Sequence, residues 1–163
     1  LQKTYTSRAY GISFSYPAKY FTYELDNGTG ERIEHMIILI EDTPENRSLI
    51  AGERSGTEGP PVLMVGIYQN NIDMYTTESF VRDTNFSNFK LSDGVLVDTL
   101  VGGESGLQYH SSGLYEHENV VVAQPDFVYM FSASFNSSND QILADFREVL
   151  DSVIFSVAST SIR

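Results

Sequence analysis

Cysteine is absent from the 163-residue chain, which excludes disulfide bridges, thiolate metal sites and cysteine nucleophiles. Such a composition suits an exported protein that has no thiol to oxidise, although cysteine-free cytosolic chains also occur. Cations are scarce as well. Ten Lys and Arg stand against 22 Asp and Glu, a formal charge of −12. Nucleic acid is therefore excluded as an expected partner, because phosphate backbones are bound by clustered Lys and Arg. An anionic membrane surface is disfavoured for the same reason. Cations and basic protein surfaces remain as electrostatic partners, beside plain solubility through self-repulsion. Tryptophan is missing, and long apolar runs are too: Met36 to Ile40 is strand-sized, against the roughly 20 residues that span a bilayer. Any membrane association is expected through an upstream anchor, for which the start at Leu1 rather than at a methionine leaves room.

Signature motifs of catalysis are equally lacking. A serine hydrolase needs its nucleophile on a sharp Gly-x-Ser-x-Gly elbow, and Gly103-Glu104-Ser105-Gly106 misses that spacing. No Gly-x-Gly-x-x-Gly or Gly-x-x-x-x-Gly-Lys-Ser/Thr occurs, so no phosphate cradle is expected. Two loose carboxylate groupings offer a divalent-cation alternative. One is Asp26 with Glu31, in a loop that shares only composition with a calcium loop. The other is His117 with Glu116 and Glu118, where strand geometry would point the imidazole away from both neighbours. The expected reading there is a solvated turn, with no cofactor. His35 reads as a strand-end residue. Four sequons, at Asn27, Asn46, Asn85 and Asn136, would matter only in a glycosylating host.

What is present is period-two patterning. Tyr10 to Pro17 alternates apolar and small polar residues and reads as a half-buried strand with Ile12, Phe14 and Tyr16 on one face. Phe21 to Leu25 follows, then an Asp26-Asn27-Gly28-Thr29-Gly30 turn, then His35 to Ile40, apolar enough for a strand covered on both sides. The pattern dissolves over 41–61, expected as a long mobile loop and a candidate partner contact. Val62 to Tyr68 resumes as strand, and Thr77 is placed to cap a helix over Glu78 to Asn85. Val95 to Val101, Ser105 to Tyr115, Asn119 to Ala123 and Phe127 to Phe135 are expected as strands joined by links too short for anything but antiparallel pairing. Ser138 and Gln141 have capping-box spacing ahead of Ile142, Leu143, Phe146, Val149, Leu150 and Val153, an amphipathic helix that must cover the sheet. The class is α+β, one domain over 1–163 built on an antiparallel sheet.

Tyr10-Gly11-Ile12-Ser13-Phe14-Ser15-Tyr16-Pro17-Ala18-Lys19-Tyr20 resembles the opening strand of PsbP-like domains. Gly103 to Tyr109 with Val120-Val121-Val122 and Val128-Tyr129 resembles their central hairpins. Phe146 to Phe155 resembles their closing helix and strand. The resemblance implies a central antiparallel sheet flanked by helices, an α/β/α sandwich shared with the photosystem II extrinsic subunit and a Ran-binding import factor. It also implies a non-catalytic binding or assembly role outside the cytoplasm, in some members as anchored lipoproteins. The expectation is a monomer that contacts a protein or cell-surface partner through the 41–61 loop and exposed tyrosines such as Tyr68, Tyr109 and Tyr115. A small-ligand or cation module is the alternative, and a hydrolase a third reading.

Overall fold

The described residues form ten strands, all paired antiparallel, in two sheets. The structure is a computed structural model that describes residues 1–53 and 58–157. In chain order the elements are β1 (Gln2–Ser7), β2 (Ile12–Pro17), β3 (Tyr20–Asp26), β4 (Glu34–Glu41), α1 (Pro44–Ile50), β5 (Leu63–Gln69), α2 (Thr77–Asp83), a 3-10 turn (Phe89–Leu91), β6 (Val97–Val101), β7 (Glu104–Ser112), β8 (Glu116–Ala123), β9 (Phe127–Phe135), α3 (Gln141–Ser152) and β10 (Ile154–Phe155). Seven strands form the large sheet in the order β3-β4-β5-β9-β8-β7-β6, and β1-β2-β10 form a small one. The chain leaves β5, builds α2 and the β6-β7-β8 meander, and returns as β9 beside β5.

Both faces of the large sheet are covered, which is why β9 is buried at every position. Phe127, Tyr129, Phe131 and Ala133 point to one side, where they meet Ile37, Leu39, Val65 and Ile67, the alternating Ile12, Phe14 and Tyr16 of β2, and Phe146, Val149 and Leu150 of α3. Val128 and Met130 point to the other, with Met36, Ile38, Tyr68, Tyr109 and Val121 under Phe80 and Val81 of α2. Each such side chain taken from water contributes about 1.5–3 kcal/mol. Close packing shows at Gly66, where a Cβ would stand 2.9 Å from the Tyr68 hydroxyl and 3.0 Å from its ring. That ring is itself held against Phe80 and Phe86. Gly66→Ala is expected to cost about 1–3 kcal/mol through overpacking; an unchanged thermal midpoint would refute this.

Several boundaries differ from the sequence reading. β1 was not foreseen: its residues are mostly exposed polar ones, and it forms only by pairing with β2, from Gln2 opposite Pro17 to Ser7 opposite Ile12. The 41–61 stretch is not a plain loop, because it contains α1, capped by the Thr43 side chain accepting from Asn46 N–H and started by Pro44. Residues 54–57 of that stretch lie outside the described residues. The α2 cap is Thr76, one position earlier than expected, in a reciprocal capping box with Ser79. Glu116, His117 and Glu118 are strand, not turn, since they pair with Ser112, Ser111 and His110. α3 begins at Gln141 rather than behind Ser138. Its cap residue, Asp140, accepts from the Asn136 and Ser137 N–H groups and so closes the preceding turn instead.

Candidate functional site

The tyrosines expected on the surface are largely inside. Tyr68 and Tyr109 are buried in the α2-side core, and the Tyr109 hydroxyl donates to Ser87 O at 2.6 Å. Burial raises the pKa of both phenols. Their strand face, which sequence alone leaves open, is closed by α2 and the segment carrying Ser87 and Phe89. Tyr115 is half-buried, and its hydroxyl donates to Gly59 O at 2.5 Å, fastening the segment before β5 to the β7–β8 connection.

The carboxylate groupings are also rearranged. Asp26 Oδ1 lies 2.5 Å from His35 Nδ1, and Glu24 Oε1 lies 2.7 Å from Nε2, so both nitrogens of this buried imidazole are taken. Tyr5 donates to the same Glu24 oxygen, and Tyr10 stacks on the imidazole. Asp26 and Glu31 do line one cleft, of about 440 Å³, together with Tyr10, Arg32, Ile33 and Gln69. Glu116 and Glu118 converge on His110, at 3.3 and 3.1 Å, rather than on His117. Antiparallel pairing sets this, because His110 opposes Glu118, while His117 opposes Ser111 on the other face. Burial lowers the His110 pKa, but its bonds to Glu118 and Glu116 outweigh that and raise it overall. Burial holds the His117 pKa below its ordinary value. Among the described residues no group of three or more His, Asp or Glu is arranged to hold a metal ion, and no serine or threonine hydroxyl is bonded to a histidine.

The best-organised surface feature is one that sequence reasoning passed over, the turn leaving β5. Asn70 is 1% exposed, and its amide donates to Tyr75 O at 3.0 Å and Gln124 O at 2.9 Å while accepting from Tyr75 N–H at 2.7 Å. Its backbone closes the turn through Met74 N–H to Asn70 O at 2.8 Å. Gln69 donates to the Asn71 side chain at 2.8 Å, and Arg32 grips Asp73 through two guanidinium nitrogens at 2.9 and 3.2 Å. Every polar side chain from Gln69 to Asp73 thus serves to fix the turn. The two aliphatic ones are left outside, Ile72 at 54% and Met74 at 62% exposed. Met74 sits at φ +54°, left-handed backbone that costs a non-glycine residue about 1–2 kcal/mol. Strain of this kind persists where surrounding contacts over-determine it, and it gathers at functional sites. The sequence signal is there in retrospect: Ile72 and Met74 alternate with Asn71 and Asp73 in a turn.

This turn stands at the sheet end that also carries the Asp26–Glu34 connection, Gly102-Gly103 and Gln124-Pro125-Asp126, as the strand registers require. A cleft of about 430 Å³ runs between it and the β7 start, lined by Met74, Tyr75, Thr77, Ser105, Gln124 and Pro125. Gln124 Nε2 is buried there without a hydrogen-bond partner among the described residues. An unmet buried donor carries a desolvation cost of about 1–3 kcal/mol. Acidic groups surround the end: Asp26, Glu31 and Glu104 are exposed.

No protein-family model matches the chain, and no curated protein does. Solved structures do match. Cyanobacterial PsbP (CyanoP) from Synechocystis sp. PCC 6803, known from a solution structure, superposes with a TM-score of 0.57 at 14% identity, over 94% of this chain and 92% of that one. The fold is PsbP-like. A crystal structure from Bacteroides thetaiotaomicron VPI-5482 shares it at a TM-score of 0.53 and 9% identity, over 95% of this chain. The chain spans about half that protein's length, 48%. The PsbP-like sheet with helices on its faces agrees with the class expected from sequence. Among the described residues, no helix is long and apolar enough to cross a membrane.

Proposed function

We propose that the chain is a non-catalytic binding domain that docks on a partner protein with the sheet end built around the Asn70–Thr76 turn. The carrying observation is the inversion of that turn: polar side chains tie it down from within, and Ile72 and Met74 are offered to solvent in a strained, fixed geometry. Rigid apolar anchors lower the ordering cost of association. The acidic rim and the charge of −12 favour a partner face that is basic around an apolar centre. The reading agrees with the binding and assembly role implied by the PsbP-like resemblance. An extracytoplasmic location fits the absence of cysteine.

Met74→Asn combined with Ile72→Asn tests the reading, because asparagine tolerates left-handed backbone and the pair should fold as stably as the native chain. Quantitative affinity capture from an extract of the source organism is expected to lose its specific partners by tenfold or more. Leu114→Asn, which changes an exposed leucine elsewhere, should leave capture intact. Equal yields from all three proteins would sink the proposal.

A further inference from the structure

The large sheet ends at β6. Among the described residues, β6 pairs with β7 on one side and with no strand on the other. Its hairpin has two turn residues, Gly102 and Gly103, both at positive φ, so Val101 and Glu104 are the closing pair. In hairpins of this kind the closing pair exchanges both backbone bonds, and bonded and non-bonded pairs then alternate. Val97, Thr99 and Val101 therefore direct their backbone groups at β7. Asp98 and Leu100 direct theirs outward, two N–H and two C=O groups in a row.

Proteins normally guard such an edge with lysine, proline or a bulge within the strand. β6 has none of these and carries a single charge, that of Asp98: its five residues are Val-Asp-Thr-Leu-Val, with Val97 55% and Leu100 71% exposed. Val95, just ahead of it, is exposed too. The nearby charges are mostly acidic, with Asp93 and Asp98 in or before the strand and Glu104 after the turn, against Lys90 alone on the approach.

We infer that β6 accepts an extended segment of another protein as an eighth strand, one bearing aliphatic residues opposite Val97 and Leu100 and a lysine or arginine opposite Asp98. Main-chain bonds to Asp98 and Leu100 supply the pairing, and side chains on alternate faces supply the selection. Charge decides against a second copy of this chain as occupant. Self-pairing about Thr99 would bring two chains of −12 edge to edge, with their Asp98 carboxylates diagonal neighbours at about 7–8 Å.

The probe is the synthetic peptide Ac-Lys-Thr-Val-Thr-Lys-Val-Thr-NH2, which in antiparallel pairing sets its two valines opposite Leu100 and Val97 and its second lysine opposite Asp98; it is compared with its counterpart N-methylated at every Val and Lys, which keeps charge and side chains but cannot pair. In amide-resolved NMR titrations of the full chain, the first peptide is expected to give saturable shifts over 96–101 and slowed hydrogen exchange at Asp98 and Leu100. The methylated peptide should bind at least tenfold more weakly. Leu100→Pro removes one outward donor while leaving the bonds to β7, and Leu100→Lys supplies the missing guard if the proline variant folds poorly; either should weaken the peptide's binding by tenfold. Leu114→Lys, with the same charge change elsewhere, should weaken it no more than twofold. Equal binding of both peptides, shifts centred outside β6, or self-association of the chain that Leu100→Lys abolishes would each overturn the inference.

Discussion

Asn70→Ala is expected to lower stability by about 2–4 kcal/mol, since it strands the Tyr75 carbonyl, the Tyr75 N–H and the Gln124 carbonyl, and each unmet buried group costs about 1–3 kcal/mol before relaxation. For a chain of this length that is a fall in melting temperature of roughly 5–15 °C. The same variant should lose partner capture although Ile72 and Met74 are untouched, because the clamp that holds the Asn70–Thr76 turn is gone. Asn70→Asp should be no milder: it keeps an acceptor for Tyr75 N–H but turns a carboxylate towards two carbonyls. A melting temperature within 2 °C of native for Asn70→Ala would show that the clamp is not what fixes the turn.

The second large effect lies on α3. Asp145 is buried on the helix face that covers the sheet, where it accepts from the Tyr20 hydroxyl at 2.6 Å and the Gln141 amide at 3.2 Å and pairs with Lys19 at 2.8 Å. Burial alone would raise its pKa, but the bonds from Lys19, Tyr20 and Gln141 prevail and hold the carboxyl below its ordinary 3.8. Asp145→Ala is expected to cost about 2–4 kcal/mol, mainly by leaving the buried Tyr20 hydroxyl without an acceptor. The Lys19 ammonium, 42% exposed, turns to solvent at little further cost. A folded-state pKa below the unfolded one means that the carboxylate's contribution is complete above the unfolded value and lost as pH falls through the folded one. Denaturant unfolding of the native chain and of Asp145→Asn should therefore show a gap in stability that is flat from pH 8 to pH 5 and narrows below about pH 4. A gap that does not change with pH would mean that the carboxylate's charge plays no part.

Legibility in the sequence followed the range of the interactions concerned. β2, β4, β5 and β9 were readable because alternation or continuous apolarity is a local record of which faces are covered. α3 was readable because its apolar residues recur at three and four. β1 was not, since its polar residues form a strand only when β2 lies beside them. The candidate site was mostly hidden. Tyr68 and Tyr109 sit at strand positions that would be exposed on a one-sided sheet, and only the packing of α2 and the segment behind it buries them. Glu116 and Glu118 lie next to His117 in sequence but serve His110, because antiparallel register and not adjacency brings side chains together.

The amino-acid sequence by itself determined the α+β class, the antiparallel pairing, the closing helix, the acidic charge and the exclusion of all thiol chemistry. These depend on composition and on periodicities a few residues long. Tertiary structure alone decided that Asp145 meets Tyr20 across 125 positions of chain, that Asn70 clamps its turn against Gln124 54 positions away, and that β6 is left without a second partner strand among the described residues. Such outcomes depend on which surfaces meet once the sheet has formed. A local pattern records that a face is to be covered, not what will cover it.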